Sequence, residues 1–233
     1  MRKLVFVLAL TYAVSAESYE TWYYPKWAAT DTYNKPLTVK DTDSALGRYN
    51  VKTKTIDLKT LTIAHGHLCD GLTIAYVELS AVLHKLFPDG IIDRTDLRVV
   101  SKNSPCLVDA AALTTGARIN FKTLNIDNSV GLGYIVQRIS TGETYTVHLK
   151  EGVFPLEQAT FEHHIRDLRK QGKPVDAKSI DKAELMANNL IKKMLNTNPK
   201  TLLDIDELSD YHFDFSTSDF GSRSDIINKE MPR

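Results

Sequence analysis

The 233-residue chain has two cysteines, Cys69 and Cys106, and no others. Two are too few for a disulfide-dense scaffold and too few for a zinc finger of the four-cysteine kind. They are far apart in the chain, so there is neither a Cys-x-x-Cys redox motif nor a Cys-x-x-Cys-His haem attachment site. Net charge is also missing, with 29 basic against 29 acidic residues. A nucleic-acid binder would show a basic excess gathered into patches, and no run of like charge points to a membrane surface or polyanion. The Gly-x-Ser-x-Gly of serine hydrolases does not occur. Gly131-Leu132-Gly133 lacks the third glycine and the strand-to-helix setting of a dinucleotide fingerprint.

What is present is ordinary globular composition, 42% hydrophobic, in a chain long enough for one sizeable core. The first sixteen residues differ from the rest. Arg2 and Lys3 precede an almost unbroken apolar stretch over residues 4–14, and Val14, Ser15 and Ala16 supply small residues for cleavage. The stretch is shorter than the roughly 20 residues a bilayer-spanning helix needs. Residues 1–16 therefore read as a cleaved secretory signal, against the alternatives of an uncleaved anchor or a buried first element. The expectation is a soluble periplasmic or secreted protein with no membrane span after cleavage.

Residues 17–58 are rich in aromatics, among them Tyr19, Trp22, Tyr23, Tyr24, Trp27 and Tyr33, with poor periodicity. They read as an N-terminal arm anchored by packing of those rings. The main domain is expected over 59–200. A short apolar run at 61–64 leads into the His/Cys segment. Helical spacing of Leu72, Ala75, Leu79, Val82, Leu83 and Leu86 predicts a helix to about residue 87, capped by Asp70 and stopped by Pro88-Asp89-Gly90. Residues 97–101 read as a strand. Ser104-Pro105 opens a second helix through Cys106, which ends at Gly116. Residues 134–140 and 143–149 flank Thr141-Gly142 as a hairpin. Helices are expected over 157–170 and 181–196, and a loosely held acidic tail over 201–233. This order argues for an α+β fold, a mixed sheet with helices packed on it and a C-terminal helical extension.

If residues 65–69 are extended, His65, His67 and Cys69 face one side. Imidazole and thiolate are the donors zinc and its neighbours prefer. Cys69 would stand just before one helix N-terminus and Cys106 in the first turn of another, where partial positive charge favours thiolate.

His65-Gly66-His67-Leu68-Cys69-Asp70-Gly71 resembles the His-Gly-His-x-Cys-Pro-Gly signature of the FmdE-like family of formylmethanofuran dehydrogenase proteins. Cys106-Leu107-Val108-Asp109-Ala110, followed by Thr115-Gly116, resembles that family's second block. The similarity covers about residues 60–155. It implies a thioredoxin-like α+β domain with a metal site, usually zinc or another divalent transition metal. The implied ligands are His67, Cys69 and Cys106, with His65 next, and Asp109 and Asp70 beside them. The chain departs from the family's pattern in three places. Asp70 stands where the family has proline, Ala117-Arg118-Ile119-Asn120-Phe121 replaces a glycine-rich stretch, and no cysteine-rich zinc finger follows. With a secretory signal, a role beside a cytoplasmic formylmethanofuran dehydrogenase is not expected, so the family name is not read as an activity.

Three functions fit these residues: a metal site with an open position and a small-molecule ligand, a Cys69–Cys106 thiol/disulfide pair, or a non-catalytic periplasmic module that binds a small ligand. Relatives often pair, so a homodimer is compatible with the resemblance. The remaining histidines have blander readings. His163 and His164, adjacent on a helix, do not chelate together. His84 is a helix C-terminal charge. His148 is a packed or surface strand residue, and His212 has no partner at a ligating spacing.

Overall fold

The computed structural model describes residues 21–42 and 52–216. The expected signal segment, the first residues of the arm, residues 43–51 and the end of the acidic tail lie outside the described residues. In chain order the elements are helix α1 (Lys26–Ala29), strands β1 (Leu37–Lys40) and β2 (Lys54–Ile56), helices α2 (Leu58–His65) and α3 (Asp70–Leu86), and strands β3 (Ile91–Asp93) and β4 (Leu97–Ser101). Helix α4 (Pro105–Thr115) and strands β5 (Leu124–Ile126), β6 (Gly133–Arg138) and β7 (Thr144–Leu149) follow. Helices α5 (Leu156–Lys170), α6 (Ala177–Asn196) and α7 (Pro199–Leu202) lead to the last strand, β8 (Leu203–Glu207).

The class is α+β, built on two sheets flanked by helices. The larger is five-stranded, in the order β5-β4-β6-β7-β8. β4 runs parallel to β5 and every other pair in it is antiparallel. β6 and β7 are the expected hairpin, with Val136 opposite Tyr145. The smaller sheet, β2-β1-β3, joins the N-terminal arm to the main domain.

Helix α3 is the axis of the core. The expected stripe of Leu72, Ala75, Leu79, Val82, Leu83 and Leu86 is fully buried, and Tyr76 and Val77 on other faces are nearly so. A helix apolar almost all round must be enclosed. Accordingly α3 packs against α4, α6, β6 and β7. Each of those leucines, fully buried, contributes about 1.5–3 kcal/mol. Pro88 and Gly90 do lie just past its end, and Phe87 closes it with its N–H on the Leu83 carbonyl.

Three expectations change. The arm is not merely loops: Leu37 and Val39 are buried while Thr38 and Lys40 between them are half-buried, the alternation of a strand with one face on the core. The tail is not loose from its start, because β8 pairs along β7 from Leu203 to Glu207. The single expected sheet is two. Strands of three to five residues leave too short a pattern to be seen without their partners. Among the described residues, no helix is long and apolar enough to cross a membrane.

Candidate metal centre

The segment before Cys69 is helical, not extended. Asp57 caps α2 by accepting the Thr60 N–H at 2.7 Å. Leu58, Leu61 and Thr62 turn inward, and Gly66, at φ 105°, ends the helix with its N–H on the Thr62 carbonyl. That left-handed residue is one that glycine adopts without steric cost. His65 thus sits four residues after Leu61, on the same inward side, and its side chain is 3% exposed. The chain reverses through Gly66–Leu68 and enters α3.

The cap of α3 is Cys69, not Asp70 as expected: its Sγ accepts the Leu72 N–H at 3.3 Å. Asp70 falls in the first turn instead, where its carboxylate accepts the Gly71 N–H at 2.8 Å. Cys106 is the second residue of α4, after Ser104 at the cap and Pro105 at the first helical position. Both sulfurs therefore stand at helix N-termini, in the positive field of unpaired N–H groups.

These three side chains converge. Sγ of Cys69 lies 3.5 Å from Sγ of Cys106, and Nε2 of His65 lies 4.0 and 3.7 Å from the two sulfurs. Both cysteines are free. Two thiolates and an imidazole on one tetrahedral zinc ion would stand roughly 3.5–3.8 Å apart at ordinary bond lengths. The observed separations match this within about half an ångström, so the donor set and spacing fit one ion. Among the described residues this is the one group of three or more such donors close enough to share a metal.

The 3.5 Å between the sulfurs lets one thiol donate a hydrogen bond to the other. Cys106 is pushed down to about 7 by the hydrogen bond it receives from Cys69, helped by the neighbouring His65 against the cost of burial. Cys69 is pushed up, first by donating that bond and then by burial, while the Leu72 N–H pulls the other way. Both cysteines ligate as thiolates, so metal binding should release protons and strengthen as pH rises.

The outer edge of His65 is also held. Its Nδ1 lies 2.7 Å from Oδ2 of Asp109, whose side chain is 45% exposed. Asp109 is three residues after Cys106, one turn along the same face of α4. With Nδ1–H donated to the carboxylate, the Nε2 lone pair points toward the sulfurs. Such a carboxylate fixes ring tautomer and orientation and raises the basicity of the ligand. Asp109→Ala is expected to weaken zinc binding about 10–100-fold while leaving the fold intact, read by competition with a chromogenic chelator.

His67 does not join the group. It is exposed, with its ring centroid 4.7 Å from that of His65 and tilted by 45°. The resemblance ranks it above His65, and strand alternation would put both on one side. A helix end and a left-handed glycine replace that alternation, and the order reverses. Asp70 lies beside the cluster rather than in it, and its charge disfavours thiolate at both cysteines.

Two neighbours of the site show their roles only in the folded chain. Gln158, from α5, is 1% exposed and donates to Asp70 Oδ2 at 2.5 Å and to Glu162 Oε1 at 2.8 Å. It tethers α5 to the mouth of the centre. Gly71 passes so close to Cys106 that a Cβ there would meet Sγ at 3.0 Å. The other histidines stay apart. His84 bonds the Ser80 carbonyl, and His148, His163 and His212 lie beside Asp204, Asp167 and Asp214.

A model of the FmdE family, described as "FmdE, Molybdenum formylmethanofuran dehydrogenase operon", matches residues 64–204, more than half of the chain. The matched span holds both cysteines, His65 and Asp109, and reaches into β8. No curated protein matches the chain.

Proposed function

The chain belongs to the FmdE family, and on that footing we propose that it is an exported protein holding one zinc ion between His65, Cys69 and Cys106, with the fourth position open to water or a small ligand. The observation that carries this reading is the convergence of the three donors from three separate elements, with Asp109 orienting the imidazole. A structural zinc site is normally closed by a fourth protein ligand, whereas a site with three keeps a place for exchange. Zinc there would polarise a carbonyl or lower the pKa of a water. The protein's own part is to supply two sulfurs at helix N-termini, to aim Nε2 of His65 through Asp109, and to place the Asp70 carboxylate, held by Gln158, at the rim. Export rests on the charge, length and cleavage pattern of residues 1–16.

A second reading draws on the 3.5 Å between the sulfurs. A disulfide needs about 2.05 Å, so closure would take a modest shift. In the chain-entropy model it would stabilise the fold by about 4 kcal/mol. Metal analysis and thiol titration of protein purified without added metal separate the two. The zinc reading expects one ion per chain and two thiols that react with a disulfide reagent only after chelation or unfolding. Metal-free protein with no titratable thiol would overturn it in favour of the disulfide.

A further inference from the structure

A cleft of about 650 Å³ lies on the side of the molecule where the loop before β1, the second half of α3, α7 and β8 meet. It is separate from the metal centre: fifteen residues of α3 divide Cys69 from His84, about 22 Å of helix. Its floor is apolar, made by Ala81, Pro199, Leu203 and Ile205. Around its rim stand three lysines, Lys35, Lys85 and Lys200, with His84 beside them. Among the described residues no acidic side chain lines it. Strand alternation in β8 turns Leu203 and Ile205 inward and leaves Asp204, beside Lys150 and His148, on the other face.

His84 and Lys85 alone would be the basic residues that a helix C-terminus favours. Lys35 and Lys200 come from other segments, and that preference does not explain their convergence in a chain with no net charge. Among the described residues none of the three lysines is paired with a carboxylate. Lys85 is held at the rim by the Tyr145 ring, 4.6 Å from its Nζ. The His84 Nδ1–H is spent on the Ser80 carbonyl at 2.6 Å. Volume, apolar floor and a few converging polar groups are the attributes of small-molecule sites.

We propose that this cleft binds a small amphipathic carboxylate, its apolar body on the Ala81–Leu203–Ile205 floor and its anionic head among Lys35, Lys85 and Lys200. The reading is independent of the metal centre. Calorimetric titration of the full chain with octanoate tests it, and the cleft has room for a longer body than this probe. Binding is expected at a Kd of about 0.1–1 mM, with 1-octanol and inorganic phosphate each about tenfold weaker or worse. The exposed double variant Lys85→Gln with Lys200→Gln should weaken octanoate about tenfold without changing octanol binding or thermal stability. Ala81→Phe, which fills the floor, should abolish binding of both. No octanoate binding at millimolar concentration, octanol bound as tightly as octanoate, or indifference to loss of the two lysines would each overturn the proposal.

Discussion

Replacing Cys69 or Cys106 by alanine is expected to lower bound zinc from one ion per chain to a trace, while His84→Ala leaves it at one. The two sulfurs come from the starts of different helices, and among the described residues no other thiol can take the place of either. With one gone, a single thiolate and an imidazole remain, half of a tetrahedral set. The loss would not be a by-product of unfolding. Cys69 also caps α3, but losing a cap costs roughly 0.5–2 kcal/mol, against a typical domain stability of about 5–15 kcal/mol. Elemental analysis beside a thermal melt reads both quantities from one preparation. Unchanged metal in both cysteine variants would remove these residues from the ligand set.

The second large effect concerns Glu78, in the middle of α3. Its side chain is 1% exposed and neither carboxylate oxygen finds a hydrogen-bond partner of good geometry. Burial pushes its pKa well above the usual carboxylate range, against a smaller pull from the Leu149 backbone N–H. The folded protein therefore holds a proton that the unfolded chain gives up near pH 4.3. The stabilising contribution is complete below that pH and is lost as pH rises toward the raised folded pKa, where the slope levels off. Glu78→Gln should abolish that slope. Glu78→Met, of similar volume and without the carboxyl, should raise stability at pH 7 by about 1–3 kcal/mol. In a chain of this length that is roughly 2–10 °C in Tm. Melts of the three proteins from pH 4.5 to 8 measure it, and a wild-type Tm that does not fall over that interval relative to Glu78→Gln would defeat the argument.

The parts of the fold that read directly from sequence are those with long apolar spacing or strong punctuation. The stripe of α3, the Ser104-Pro105 opening and Gly116 ending of α4, and the β6–β7 hairpin are of this kind. Helix α2 does not read because it has only eight residues, and Leu61-Thr62-Ile63-Ala64 imitates a strand. The consequence is chemical: strand alternation puts both histidines beside Cys69, whereas the helix end brings only His65 to the two sulfurs. Asp57 and Gly66, a cap and a left-handed terminator nine residues apart, are the local signals that could have corrected it. The two cysteines and Asp109 are recognisable from motif alone. Gln158 is not, since it meets Asp70 across 88 residues of chain.

Strand β8 has a practical bearing beyond topology. It covers the hydrogen-bonding edge of β7 from Tyr145 to Leu149, although it lies beyond the last long helix, where a shortened form would naturally be cut. A chain ending at Lys200 would bare that row of N–H and C=O groups, together with the apolar surface that Leu203 and Ile205 cover. An open, unprotected margin of this sort recruits other copies by strand addition. Trimmed versions made for crystallisation or display should therefore keep the chain to at least Glu207, or they will be isolated as aggregates.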